Sequence, residues 1–242
     1  MLENRRYVSD ALATDRSSRR LSEHGATRPR ALACAEAAAI VACALLLVVL
    51  AGRLGRALVG PRALALVLAG IPLGWLAADL LSGIVHWFCD RFFEETSPVI
   101  GRVLIAPFRE HHRDPLAMTR HGFLELTGNS CFGLLPVLLA VAAGRGGIVA
   151  DAAIVAGAVA VGATNFFHKW AHAGDVPPAV AWLQARRLIL PPAHHADHHR
   201  EDHAGRYCVT AGWLNGLVDG LGVFRRLERW LTGVGLPATS AP

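Results

Sequence analysis

Histidine carries the chemistry in this sequence. There are twelve, and eleven of them fall between His86 and His203. His86 and Asp90 stand four apart in HWFCD, and His168 and His172 stand four apart in HKWAH. His111 and His112 are adjacent in REHHRDP, and His121 follows in TRHGF. His194, His195, His198 and His199 form HHADHH, with His203 four residues on. Residues four apart on a helix share a face, with Cβ atoms about 5–6 Å apart, so an imidazole pair at that spacing can grip one metal. Within HHADHH, His195 reaches His198 and His199, and His194 reaches His198. One short helix therefore offers several ring nitrogens along an edge. An ion takes about four to six ligands, and roughly ten candidates imply two ions. Imidazole suits zinc, copper, iron and nickel; a nitrogen-rich set with one or two carboxylates and no thiolate fits iron doing oxygen chemistry. Paired ligands projecting inward from several helices are a known way to hold two irons.

Other polar residues lie close by in sequence. Asp79 is either a carboxylate orienting a ligand imidazole or an ordinary cap. Asn165, three residues before His168, either holds a metal-bound water or serves the helix end. Arg109, Arg113 and Arg120 flank the Asp114-Pro115 turn and either grip a phosphate or act as topology charges. Cys34, Cys43, Cys89, Cys131 and Cys208 are scattered, odd in number and without a CxxC pair, so they form neither a disulfide framework nor a thiolate zinc site.

These residues need a scaffold, and the composition points to a membrane. Of 242 residues, 53% are hydrophobic and 18% charged, with mean hydropathy +0.36. That excludes a disordered chain or a coiled coil. The net charge of +5 comes mostly from arginine without interleaved stacking aromatics, so no nucleic-acid partner is expected. Apolar runs at 31–51, 63–88 and 147–167, and a third at 134–143 that starts near Thr127, read as four spans. The expected fold is all-α: an integral membrane four-helix bundle with a cytosolic, histidine-rich helical cap. Five arginines precede the first span closely and three lie in the hairpin after it. The positive-inside rule then puts both termini and every histidine from His86 onward on the cytosolic side. Residues 1–30 read as a disordered Arg-rich tail containing His24, 31–231 as the membrane domain and 232–242 as a loose tail. Segments 178–190 and 221–231 are amphipathic, suited to the interface plane or to the surface of the cap.

The strings AADLLSGIVHWFCD, IAPFREHHRDPLAMTRHGFLELTGN, TNFFHKWAH and ILPPAHHADHHREDHAGRYCVTAGWLN resemble the plasmanylethanolamine desaturase family, including its bacterial photo-oxidative-response members. A more distant likeness extends to the plastid palmitate desaturase of phosphatidylglycerol. The resemblance covers roughly residues 75–231. It implies a membrane di-iron enzyme that uses O₂ to desaturate the 1-O-alkyl chain of an ether phospholipid, giving the vinyl ether of a plasmalogen. The family's histidine motifs fall on His86, His111, His112, His121, His168, His172, His194, His195, His198, His199 and His203, with Asp90 beside His86. Arg91-Phe92-Phe93 departs from the smaller stretch expected there. No flavin or nicotinamide fingerprint is present, so electrons must come from an external donor such as cytochrome b5 or ferredoxin.

Three other readings make different demands. An acyl-lipid desaturase or hydroxylase would share the same irons and differ only in product. A histidine-based metal transporter would need a polar path through the spans, where Glu36, Asp79 and Asp151 occur singly. A bis-histidine haem protein would need histidines in the span interiors, whereas here they sit at the ends.

Overall fold

The computed structural model describes residues 29–144, 146–200, 203–236 and 238–239. Among these there are helices and no strands: α1 (Arg30–Ala57), α2 (Gly60–Arg91), α3 (Ala106–Arg113), α4 (Ala117–Arg120), α5 (Phe123–Ala143), α6 (Ile148–His172), α7 (Pro178–Ala185), α8 (Pro192–His199), α9 (Asn215–Gly220) and α10 (Val223–Gly233). A π-helical turn, Gly101–Ile105, leads into α3. By length and composition α1, α2, α5 and α6 can each cross a membrane. Of the tail expected over residues 1–30, residues 1–28, with His24, lie outside the described residues, and Arg30 already belongs to α1.

The four long helices overrun the apolar runs that announced them. α2 continues to Arg91 and α6 to His172. A helix ends where its backbone ladder ends, and the ladder does not require apolar side chains. His86, Asp90, His168 and His172 consequently lie in the last turns of long helices. The chain divides into two compact units, one of residues 27–78 and 121–166, the other containing 79–120 and 167–242.

The first unit is the apolar bundle. Ala39, Cys43 and Leu50 of α1 pack on Cys131, Leu134 and Leu138 of α5 and on Ala158 of α6. Apolar packing gains little between helices already in hydrocarbon, so close backbone approach matters more. Gly70 provides it on α2, where an added Cβ would lie 2.6 Å from the Val149 carbonyl oxygen of α6. Gly128 makes room for the buried Glu36, whose Cβ an added Cβ would meet at 2.6 Å. Arg53, at the end of α1, closes the bundle. It donates to the carbonyls of Val141 (3.0 Å) and Gly144 (2.8 Å) and pairs with Asp151 at 2.7 Å. Val41, Leu45, Val48, Leu64 and Leu68 remain exposed, an apolar surface suited to hydrocarbon.

The second unit has its own core of Trp87, Phe92, Tyr207, Val218 and Phe224. The loop of residues 205–215 is strapped along α2. Asp79 Oδ1 accepts from the N–H groups of Ala211 (2.8 Å) and Gly212 (2.9 Å), and Oδ2 accepts from Leu214 (3.0 Å). Ser82 Oγ accepts from Val209 at 3.0 Å. Gly83 lets the loop this close, since a Cβ there would sit 2.6 Å from Cys208 Sγ. Among the described residues after 231, where a loose tail is expected, Thr239 N donates to the Arg91 carbonyl at 2.8 Å, and Ala238 packs on the aromatic core.

Candidate metal centre

Four elements of the second unit converge. The end of α2 supplies His86 and Asp90, α3 supplies His111 and His112, the end of α6 supplies His168 and His172, and α8 supplies His195, His198 and His199. Prolines at the start of α8 suit a first turn whose N–H groups have no helical partner. The eight-residue helix then presents His195, His198 and His199 on adjoining edges.

Three groups have ligand atoms within 4.8 Å of one another: His111, His168, His172, His195 and His199; His86, His111, His112 and His198; and His112, His199 and His203. His111 belongs to the first two. In the first, Nε2 of His195 lies 2.8 Å from that of His168, 2.9 Å from that of His172 and 3.0 Å from that of His199. Neutral imidazole has one N–H, so rings facing one another through the same nitrogen cannot satisfy each other by hydrogen bonds alone. A cation accepts all of their lone pairs.

The second group surrounds a carboxylate. Asp90 and His86 are fully buried. Asp90 oxygens lie 3.1 Å from His112 Nε2, 3.3 Å from His86 Nε2 and 3.6 Å from His198 Nε2. None of these contacts has hydrogen-bond alignment, so both Asp90 oxygens and the Nε2 atoms of His86, His111, His112 and His198 have no hydrogen-bond partner among the described residues. Buried polar atoms are rarely left so. Their convergence on common points is the donor set of a transition metal: nitrogen with one carboxylate and no thiolate. Burial also pushes the Cys208 thiol up, away from the ligating thiolate.

Electrostatics prepares the rings. Burial holds His111, His195 and His199 well below the ordinary imidazole value, and neighbouring histidines push the same way. Burial also lowers His112, against the pull of Asp90. At neutral pH these imidazoles are uncharged, the form that binds metal.

Backbone carbonyls aim two of the rings. His86 Nδ1 faces the Tyr207 carbonyl at 3.1 Å, and His198 Nδ1 faces that of Gly205 at 2.6 Å. Each contact fixes the tautomer that leaves Nε2 for a metal. The Tyr207 ring also packs on both imidazoles, with centroids 5.8 and 5.3 Å away. Any residue supplies a carbonyl, so sequence reasoning had no signal for these two. Asn215 was missed as well. Fully buried, it brackets Cys208 through the backbone N–H (2.8 Å) and carbonyl (3.0 Å). Its Asn-Gly context was the only available hint, and that marks a turn.

Several expected site residues are occupied elsewhere. His121 Nδ1 lies 3.3 Å from Glu125, which also accepts from the Gly122 N–H at the start of α5, and His121 is in none of the three groups. His194 Nε2 faces Asn215 Nδ2 at 3.0 Å, outside the groups too. Asp79 lies inside α2 rather than at its end, and its oxygens hold the loop N–H groups of Ala211, Gly212 and Leu214. Asn165 donates to the Leu126 carbonyl at 2.8 Å. The three arginines expected to grip a phosphate are engaged within the chain. Arg109 is buried and donates to the Phe93 carbonyl at 2.6 Å, and it also bonds the Thr239 hydroxyl. Arg113 pairs with Glu95 and Arg120 with Asp114.

Comparison with known proteins agrees with this geometry. Residues 75–236 match the lipid desaturase domain family. A plasmanylethanolamine desaturase of Myxococcus xanthus is 43% identical over 70% of this chain and 63% of its own length. Plasmanylethanolamine desaturase 1 of Mus musculus is 38% identical over 70% of this chain and 66% of its own length. The chloroplastic fatty acid desaturase 4 of Arabidopsis thaliana is 34% identical over 64% and 48%. The chain thus spans a little under two thirds of the first two relatives. No solved structure matches. The matched stretch opens just before Asp79 and closes past α10, taking in all three histidine groups and the loop that aims them, and on that ground this chain belongs to the lipid desaturase family.

Proposed function

We propose that this protein desaturates the 1-O-alkyl chain of ether phospholipids, converting plasmanyl- to plasmenylethanolamine with O₂ at a histidine-held di-iron centre. One observation carries the reading: two buried imidazole groups share His111, and the Asp90 carboxylate among them has no hydrogen-bond partner. The names of the bacterial and mouse relatives support the ether-lipid substrate. The balance is one alkyl ether, O₂, two electrons and two protons giving one vinyl ether and two waters. Iron supplies the oxidising chemistry toward an unactivated C–H bond that no side chain provides.

The chain's own part is positional. His86, His111, His112, His198 and Asp90 would hold one ion, and His168, His172, His195 and His199, with His111 shared, the other. His203 closes the edge beside His112 and His199. Tyr207 and Gly205 fix ring orientation through their carbonyls, and the Tyr207 and Phe108 rings beside His86 exclude water. Electrons come from an external donor such as cytochrome b5 or ferredoxin. The site and both termini lie on the cytosolic side, of the inner membrane in a bacterium or of the endoplasmic reticulum in a eukaryote.

The test is lipid mass spectrometry after expression in a host that makes ether lipids but no plasmalogens. Acid-labile ether lipids two mass units lighter are expected with the parent chain and absent from a His198→Ala, His199→Ala variant. Unchanged ether lipids beside acyl chains that gain a double bond would move the assignment to an acyl-lipid desaturase, as the name of the Arabidopsis relative suggests. Unchanged lipids throughout, with iron-loaded protein and a supplied donor, would remove the desaturase reading.

A further inference from the structure

Three guanidinium groups stand together on α10 without a carboxylate to neutralise them. Arg226 and Arg229 have no hydrogen-bond or ion-pair partner among the described residues, and Arg225 reaches only the Asp219 carbonyl, at 3.5 Å. Glu228, on the same helix, does not cancel them, because it is taken up by a two-pronged pair with Arg91 at 3.0 and 2.8 Å. The three arginines rim a cavity of about 630 Å³ whose wall includes Trp87, Tyr207 and Phe224. That volume is in the range of small-molecule sites.

The cavity wall is aromatic. Trp87 is only 3% exposed and stacks on Phe224 with centroids 5.3 Å apart. A second cavity of about 510 Å³ shares Ala204, Gly222, Phe224 and Arg225 with the first and is bordered by His198 and His203. The arginines and two of the clustered histidines therefore line adjoining hollows.

We propose that this recess binds the phosphate ester of a phospholipid headgroup, with Arg225, Arg226 and Arg229 gripping the phosphate oxygens. Guanidinium matches phosphate geometry through paired N–H groups. The aromatic wall and the exposed Leu221 at the rim favour a lipid over a free anion, since they offer apolar contact to the glycerol and the first chain carbons. The choice of a phospholipid rests on the desaturase reading, but the measurement below does not read turnover, so the two can fail separately.

Binding to the purified full chain in detergent is measured with three probes: water-soluble dihexanoyl phosphatidylethanolamine, dihexanoylglycerol, which lacks the phosphate, and inorganic phosphate. The phospholipid should bind saturably and more tightly than either of the others. Arg226→Gln with Arg229→Gln should raise its Kd roughly tenfold, while the corresponding lysine pair, which keeps charge but loses the fork, should raise it less. Thermal unfolding of each variant checks that the fold is retained, and the exposed arginines can be replaced without disturbing the core. The proposal is overturned by an unchanged Kd in the double glutamine variant, by equal binding of dihexanoylglycerol, or by no saturable binding. Phosphate binding as tightly as the lipid would also overturn it and leave a free-anion site.

Discussion

His86 and Tyr207 are joined through the backbone: the histidine's Nδ1 sits 3.1 Å from the tyrosine's carbonyl oxygen. The ring N–H donates there, and Nε2 turns toward Asp90 and the second histidine group. Tyr207 lies on the loop strapped to α2 by Asp79, so the loop's anchoring and the ligand's aim are one problem.

Asp79→Asn should expose that link. Asparagine keeps one accepting oxygen and loses the charge and the acceptor for Leu214. Hydrogen bonds to a charged group are worth about 1.5–3 kcal/mol each, so a loss of roughly 2–4 kcal/mol is expected, seen as a lower Tm. Iron content should fall as well, because the Tyr207 carbonyl loses its fixed position. A variant with parental Tm and full iron would separate the loop from the site.

His111 is the single histidine common to both larger groups. His111→Ala should therefore remove more iron per chain than His203→Ala, measured by elemental analysis of the purified protein, and should drop desaturation to background. Asn215→Ala, which removes a buried side chain that holds the Cys208 backbone rather than a ligand ring, should act on stability instead, at about 1–3 kcal/mol. Equal iron loss from the two histidine variants would refute the shared role.

Arg109 should behave as a structural residue. Its guanidinium is spent on the Phe93 carbonyl and the Thr239 hydroxyl. Arg109→Gln should lower Tm by several degrees, as expected for a buried hydrogen-bonded charge, and leave KM for the lipid within about twofold. A large KM increase with unchanged Tm would return it to substrate binding.

The metal-free protein should weaken in mild acid. In the folded chain His111, His195 and His199 stay neutral far below the ordinary value of 6.5, while in the unfolded chain they take up protons near that value. The unfolded state then binds more protons, so stability falls as pH drops below about 6.5 and is flat above it. Unfolding of chelator-treated protein from pH 5 to 8 checks the sign. A midpoint that holds steady from pH 7 to pH 5 would contradict it.

Close helix packing gives the last expectation. Gly70→Val places a branched side chain against the Val149 backbone, which cannot yield as a flexible side chain can. A loss of about 1–3 kcal/mol is expected for overpacking, whereas Gly133→Val, with open space around its Cβ position, should be nearly neutral. Comparable Tm values for the two would argue against tight contact of α2 with α6.

The ligand set was legible because its spacing is a helical property. His86 with Asp90, His168 with His172, and the α8 histidines carry their geometry in the interval between them. What escaped was whatever depends on backbone or on distant sequence. The carbonyls of Tyr207 and Gly205 have no residue-type signature. Arg109 was visible as a charge, but its partners, from residue 93 to residue 239, are unreadable from spacing. His121 entered the expected ligand set with the family's histidine motifs, whereas its ring lies 3.3 Å from Glu125, one helical turn on, and in none of the three groups. The four spans were legible from hydropathy, and their ends were not, since the histidine-bearing turns are helical without being apolar.

α8 divides its loyalties within one turn. His195 and His199 point into the five-histidine group, and His198, between them, points into the group around Asp90. The helix cannot roll or shift to suit one group without disturbing the other. On the two-ion reading proposed above, an ion seated in either group would hold α8 and His111 in the arrangement the other requires, so that part of the ordering cost of the second would already be met. Loading would then be cooperative, and chains carrying a single ion would be scarce.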